Sequence, residues 1–257
     1  MQSRYSVINW IARCIAFFFV QSAFGQFEKE FFPEISYLAG DVFLVSKHKP
    51  NAQPKTLDKN ESIQSIPPYA IVSSKDSFVE IDLLQDRSLY TLRMGQSTGL
   101  EIRNSTDFYL FKGSFLIADR WERKWAIESN TSKIIMNGSG TAIIESTPLG
   151  FKLLILEGKY EVESVPENHF LLSGDLALIT GTVGKISQRI QIELPLLLSS
   201  SRLVNYFPKP LATQSRLISA AQVQVLRTKS KYDAFIGGVS EERKLRIWKI
   251  GNQQKNP

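Results

Sequence analysis

Between residues 34 and 192 the chain alternates apolar and polar positions with a period of two. Short runs of β-branched, aromatic and leucine residues are separated by glycine or polar turns. Residues 77–83 alternate clearly, residues 85–88 offer a polar turn, and residues 89–94 form a second run. This pattern is typical of half-buried strands. It predicts a mainly β protein built from consecutive short hairpins.

Four glycines recur at the same place in this pattern. Gly40, Gly113, Gly158 and Gly174 each follow one apolar run and precede another. Glycine adopts left-handed backbone angles without steric cost. We therefore expect each of them to form a turn between two paired strands. Their irregular spacing excludes a repeat of fixed length, such as a propeller blade.

After Ile192 the pattern changes to helical spacing. Pro195 suits the first turn of a helix, and four apolar residues lie close to one helical face: Leu196, Leu197, Val204 and Phe207. Residues 214–228 favour a helix over a strand, and residues 232–250 predict a final hairpin. An apolar helical face needs cover. We expect it to pack on the β domain or to dock a partner, and packing is the favoured alternative.

The first 25 residues have the features of a secretory signal peptide. They contain no acidic residue, carry Arg4 and Arg13, and place an apolar stretch before the small residues Ala23 and Gly25. Cleavage is predicted after Gly25, which makes the protein periplasmic or secreted. The alternative is a single-pass anchor, but the apolar stretch is shorter than the ~20 residues that a span needs. After cleavage we expect no stable membrane span.

Composition narrows the possible chemistry. Of 257 residues, 43% are hydrophobic and 22% are charged, which is ordinary for a globular protein. One cysteine and two histidines exclude a disulfide scaffold and disfavour zinc sites. Residues 26–184 have a net charge of −5 and residues 185–257 have +9. The basic residues, among them Arg202, Lys209, Arg216 and Arg227, are interpreted as solvated faces and local salt-bridge partners, so no nucleic-acid partner is predicted.

Two surface clusters could bind a ligand. Trp121 and Trp125, together with Phe108 and Tyr109 and with basic residues between them, could stack on sugars or bases, although large aromatics more often serve the core. The second cluster is an acidic stripe: Asp76, Glu80, Asp82 and Asp86. Alternate carboxylates on a strand could hold calcium, although the solvent face of a strand commonly carries them. We expect the tryptophans to pack in the core and the acidic stripe to lie on the solvent face of its strand.

The sequence contains few candidate catalytic groups. Glu167 and His169 are two residues apart and are interpreted as turn residues rather than a dyad. Residues 181–186 contain glycine and lysine, but Ile186 follows the lysine where a phosphate-binding loop has serine or threonine. We therefore predict no catalytic, cofactor-binding or metal-binding residue, no cofactor, and no enzymatic activity.

Several segments, taken in order, resemble the FecR domain of bacterial envelope proteins. They are Gly40-Asp-Val, residues 70–83, residues 85–87, 111–117, 135–144, 154–162 and 172–178. Arg87 stands where the family favours a glycine. The resemblance covers about residues 35–185 and implies an all-β periplasmic module, either a flattened solenoid or a sandwich. Family members known for signalling place a cytoplasmic sigma-regulating segment and a transmembrane helix before this module, and we expect both to be lacking here.

Together these observations predict three parts: a signal peptide (1–25), a FecR-like all-β domain (26–184) and a basic C-terminal extension with one or two helices and a hairpin (185–257). The expected function is that of an exported, non-catalytic binding or scaffolding module of the cell envelope. Its partner would be an envelope protein or a polysaccharide, and the oligomeric state stays open. The alternative is a carbohydrate-binding or carbohydrate-processing β protein that uses Trp121 and Trp125.

Overall fold

The computed structural model describes residues 31–46, 53–58, 69–85, 88–164, 166–181 and 184–228, and the backbone of two short strands beyond them. The predicted signal peptide and Asp86 lie outside the described residues.

Fourteen described strands form one sheet, and two more form a small antiparallel pair. The large sheet comprises β1 (Phe31–Ala39), β2 (Val42–Ser46), β3 (Lys55–Thr56), β4 (Tyr69–Ser73), β5 (Phe78–Gln85), β6 (Ser88–Met94), β7 (Gly99–Ile102), β8 (Asp107–Lys112), β9 (Ser114–Glu128), β10 (Lys133–Thr147), β11 (Gly150–Val162), β12 (His169–Leu172), β13 (Asp175–Thr180) and β14 (Lys185–Gln191). The small pair is β15 (Ala234–Ile236) and β16 (Trp248–Ile250), and the helices are α1 (Leu194–Ser200), α2 (Arg202–Asn205) and α3 (Gln214–Thr228). The prediction of a mainly β protein with a part-helical C-terminal extension is confirmed.

The sheet branches at the three long strands β9, β10 and β11. One set of pairings runs β1-β5-β6-β9-β10-β11-β13-β14 and is called the first half here. The other runs β3-β2-β4-β7-β8-β9-β10-β11-β12 and is called the second half. Each long strand contributes one end to each half. All pairs are antiparallel except β8 with β9.

The two halves face each other across a common core. Phe108 pairs with Ile127 near the end of β9, yet its ring centroid lies 5.8 Å from that of Phe115 near the start. Twelve extended residues would span about 40 Å, so β9 must bend back sharply. Of the two expected architectures, the sandwich is therefore the closer description. The largest buried side chains of its core include Trp125, Tyr90, Tyr160, Phe108, Phe115 and Phe151.

The four recurring glycines mark corners of this sandwich. All four have positive φ angles, between 74° and 94°. The expectation that they connect paired hairpin strands is wrong, since β1 pairs with β5 while β2 pairs with β4, and β8 joins β9 in parallel. At each glycine the chain passes from one half of the sheet to the other. The sequence correctly indicated left-handed turns but could not show that the partner strands lie elsewhere.

The first half also extends past the predicted domain boundary. Gly184 lies between β13 and β14, which pair in the same sheet, so the sheet continues to Gln191.

Candidate functional site

A second apolar surface lies on the outer face of the first half. Side chains that alternate with the core-facing ones project from β9, β10, β11 and β13: Leu116, Ala118, Ile143, Leu154, Leu156, Leu176 and Leu178. These strands are apolar on both faces, which is typical of strands covered on both sides. The outer face therefore needs cover from another part of the chain.

The three helices supply that cover. Pro195 occupies the first turn of α1, as the sequence predicts. Leu194, Leu203, Val204 and Leu217 are buried in a cluster with the outer-face residues. Phe207 is also buried, whereas Leu196 and Leu197 are only partly so. The expected packing of the C-terminal segment on the β domain is thus present, with two of the four named residues incompletely covered.

The incomplete cover leaves a cleft of about 410 Å³ between α1, α2 and the sheet. Its aliphatic lining comprises Ile143, Leu154, Leu176, Ile192, Leu196, Leu197 and Leu203. Phe78 is the one aromatic among the residues that line it. The volume falls within the range of small-ligand pockets, roughly 300–1,000 Å³.

The two ends of the cleft differ in polarity. At one end, Lys152 forms an ion pair with Glu145, its cross-strand neighbour. Arg202 stands at the same end, because its Nη1 donates a 3.3 Å hydrogen bond to Gln96 Oε1 and the neighbouring Gly95 N–H donates to Ser114, which pairs with Glu145. Glu193 lines the other end, before the first residue of α1. The first end thus carries two cations and one carboxylate, and the second carries one carboxylate.

A buried ion pair beside the cleft attaches the C-terminal segment to the sheet. Arg93 is 0% exposed, and its Nε donates a 2.7 Å hydrogen bond to Glu80 Oε2. Its Nη1 donates to the carbonyl oxygens of Leu203 and Val204, at 3.2 and 2.9 Å, and its Nη2 donates to that of Lys209. Burial lowers the pKa of Arg93, and the contact with Glu80 opposes that shift.

The acidic stripe takes part in this attachment. Both interpretations of the stripe, as a calcium site and as a solvent face, are therefore corrected. Glu80 is 1% exposed, so it is not on a solvent face. Asp82 accepts a 2.9 Å hydrogen bond from Lys209 Nζ, which raises the pKa of that lysine. Asp76 is exposed. Glu80 and Asp82 are therefore occupied by cations of the protein itself, and within the described ranges no group of three metal-ligating side chains occurs.

Two other buried carboxylates of the sheet are also paired with cations of the protein. Glu157 pairs with Arg216 of α3 at 2.5 Å, and burial raises the pKa of this glutamate. Asp175 pairs with Arg189 of β14 at 2.7 Å. A hydroxyl contact of 2.6 Å joins Thr141 to Thr213. Polar groups on the sheet are thus matched by polar groups on the C-terminal segment.

The tryptophan cluster proposed for sugar binding does not form a platform. Trp125 is 0% exposed, and its ring stacks on Phe108 and meets Tyr90 edge-on. Trp121 is 64% exposed. Between Asp119 and Arg123, β9 carries two more residues than the facing stretch of β10. This bulge separates the two tryptophans, which strict alternation would place on one face. The structure therefore contradicts a site that uses both rings.

The remaining sequence candidates lie at or next to the ends of strands. Glu167 is exposed before β12, and His169 pairs with Val162 as the first residue of that strand. Gly181 is exposed, and Lys185 begins β14.

Comparisons with known proteins give limited information. No protein-family model matches the sequence, and no curated protein matches it. Among solved structures, the chain is similar to the crystal structure of a "putative anti-sigma factor" from Parabacteroides distasonis. The identity is 10%, the match covers 71% of this chain and 99% of that chain, and the TM-score is 0.37. A TM-score this low does not establish a common fold.

Sequence reasoning missed the cleft, although one signal for it was present. The partly covered residues Leu196 and Leu197 are followed by a third leucine, three serines and an arginine, so an apolar helical face ends in a polar group. The floor comes from β10, β11 and β13 and the cover from α1 and α2. No local sequence pattern shows that these strands and helices meet.

Proposed function

We propose that the protein is an exported, non-catalytic, FecR-like binding or scaffolding module of the bacterial cell envelope, and that its partner binds at the cleft. The observation that carries the proposal is the contrast between the cleft and the charged groups around it. The open concave surface is mainly aliphatic, whereas Arg93 and Glu80 are shut off from solvent.

Chemistry on a substrate would need titratable groups that a substrate can reach. The buried carboxylates are instead held by cations of the protein itself: Glu80 by Arg93, Glu157 by Arg216 and Asp175 by Arg189. Arg93, through the carbonyls it binds, and Arg216 attach the C-terminal segment to the sheet. Their arrangement supports a binding role, because it holds the helices over the sheet and so shapes the cleft.

The order of features at the amino terminus supports export. An acid-free start, an apolar stretch and small residues before Gln26 are what export requires. Within the described segments, no helix is long and apolar enough to cross a membrane. The FecR assignment rests on the ordered segments between residues 40 and 178, which coincide with strands and corners of the sandwich.

Site-specific photo-crosslinking in the native host tests the proposal. A benzophenone amino acid at Gln96, on the rim of the cleft, should give adducts in the envelope fraction. The matched control places it at Lys112, an exposed residue of the second half outside the cleft. Amino-terminal sequencing of the purified protein should begin at Gln26. Equal adducts at both positions, or a retained Met1 in the cytoplasmic fraction, would contradict the proposal.

A further inference from the structure

The geometry points to an aliphatic chain with an anionic end group as the ligand of the cleft, with a medium-chain carboxylate as the simplest member of the class. This inference rests on the proposed function and specifies the chemistry of its site. Three features carry it: the side chains of the floor and ceiling, the polarity of the two ends, and the shape of the space between them.

The floor and ceiling favour a saturated chain over a ring. Ile143, Leu154 and Leu176 come from three adjacent strands, and Leu197 faces them from α1. Sugars and nucleobases are usually held by flat aromatic side chains, and Phe78 is already stacked on Tyr206 at 4.1 Å between ring centroids. A flexible alkyl chain needs no such partner, because its affinity comes from the apolar area that it buries.

The polarity of the cleft orients this chain. Lys152 is neutralised by Glu145. Arg202 is exposed and forms no ion pair with any described residue. Its guanidinium donates a hydrogen bond only to the neutral side-chain amide of Gln96 among the described residues. A planar guanidinium is suited to a carboxylate or phosphate oxygen pair. Glu193 at the opposite end would repel an anion there. The end group therefore belongs beside Arg202 and the chain extends toward Ile192.

The dimensions agree with a chain of medium length. The seven residues of α1 separate the two ends by about 10 Å. The cleft volume of about 410 Å³ exceeds what a single side chain would fill, and Arg202, which lines the polar end, is exposed to solvent. A chain longer than the cleft would leave methylenes in water, so affinity should stop rising at a definite length.

Titration calorimetry on the mature protein, with single-chain amphiphiles kept below their micelle concentration, tests this assignment. Dodecanoate should bind more tightly than dodecanol, and dodecyltrimethylammonium should bind most weakly. From butanoate upward, each added methylene should raise the affinity about four-fold until the cleft is full. Vesicles of anionic phospholipid provide a separate arm, in which binding would identify a membrane lipid rather than a free acid as the source of the chain.

Charge reversal identifies the end-group site. Arg202→Glu should weaken dodecanoate binding at least ten-fold and leave dodecanol unchanged. The matched control is Arg227→Glu, the same change at an exposed residue in the last turn of α3 that does not line the cleft. Leu197→Trp should shorten the chain length at which affinity stops rising. Equal thermal midpoints for the variants and the parent protein would show that folding is intact.

Several outcomes would overturn the assignment. Equal affinity for the three amphiphiles, or equal loss in both arginine variants, would remove Arg202 as the end-group site. No binding of any chain would reject an aliphatic ligand altogether. In that case a specific protein adduct from position 96 would still support the proposed function, so the two failures are distinguishable.

Discussion

Arg93 does more than form an ion pair, because its guanidinium also binds backbone carbonyls of the C-terminal segment. A buried pair of this kind is costly to desolvate, and its net contribution to stability is often small. Removing one partner is different, since the remaining charge stays buried without compensation. Here it would also leave the carbonyls of Leu203, Val204 and Lys209 without their donor.

Arg93→Met is therefore expected to lower the free energy of unfolding by about 3–5 kcal/mol. The matched control is Lys124→Met, which breaks the exposed ion pair with Glu163 and should cost less than about 1 kcal/mol. Urea unfolding measures both. The double variant Glu80→Leu/Arg93→Met should recover only part of the loss, because the carbonyl acceptors remain unsatisfied. Equal small losses in both single variants would show that the buried pair is not required.

The two tryptophans should respond very differently to truncation. Trp125→Ala removes a fully buried side chain from between Phe108 and Tyr90 and should cost about 3–5 kcal/mol. Trp121→Ala removes an exposed side chain and should change stability by no more than about 0.5 kcal/mol. Chemical denaturation of both variants decides the matter. A large loss at Trp121 would mean that its ring is covered in solution.

At the scale of secondary-structure elements, the long strands depend on corners that only glycine permits. Gly158 has a φ of 94°, and a Cβ atom there would lie 2.1 Å from the carbonyl oxygen of Ser139. Gly181 has a similar φ of 79°, but a Cβ atom there would meet nothing within 4 Å. Comparing alanine substitutions at Gly158 and Gly181 separates the cost of backbone strain from that of a steric clash.

Gly181→Ala should cost roughly 1–2 kcal/mol, the usual penalty for a left-handed non-glycine residue. Gly158→Ala should cost clearly more, because the carbonyl of Ser139 belongs to the paired strand β10 and cannot easily move. Thermal unfolding of the two variants provides the comparison. Equal losses at both positions would show that β10 and β11 shift to admit the methyl group.

The elements were largely predictable from local pattern, whereas their partners were not. Alternation located β5 and β6, and helical spacing with Pro195 located α1. The positive φ of Gly158 also followed from its sequence context. Branching of the sheet could not be foreseen, because it depends on pairings such as β1 with β5, whose paired residues are more than 35 positions apart. Bulges such as the one beside Trp121 depend on the facing strand and leave no periodic signal.

In the candidate site, too, single elements were predictable from sequence and their partners were not. Its apolar components, Leu197 and Val204, were recognised as a helical face in search of cover. Its polar components were assigned to other roles: Glu80 to calcium or solvent, and Arg202 to a solvated basic face. Both assignments treated charge as a property of the exposed strand or helix. In the structure Glu80 pairs with Arg93 of the neighbouring strand, whose guanidinium binds carbonyls of the C-terminal segment, and Arg202 donates a hydrogen bond to Gln96. Only the tertiary fold brings these groups together.

On the scale of the whole molecule, the protein has two apolar layers rather than one. The first lies between the halves of the sheet, and the second lies between the first half and the helices. The second layer depends on residues after Gln191, since α1, α2 and α3 supply its cover. The C-terminal segment is therefore an integral part of the fold, and the cleft exists only while it is in place.

Truncation after Gln191 tests this dependence while leaving β14 paired in the sheet. It would expose outer-face side chains such as Leu116, Leu154 and Leu178, which are buried in the full protein. Full burial of one such residue is worth about 1.5–3 kcal/mol, so the shortened protein should lose several kcal/mol and aggregate. Apolar-dye binding and the thermal midpoint would measure both effects.

The control for this truncation ends after Thr228, so that it keeps all three helices and removes only the residues that follow them. It should retain the thermal midpoint of the mature protein and bind little dye, because the second apolar layer stays covered. If the protein truncated after Gln191 were equally stable and soluble, the outer face would not belong to the core. If both truncations lost stability equally, the loss would come from residues 229–257 rather than from the helices. The helices would then not be needed to cover the outer face.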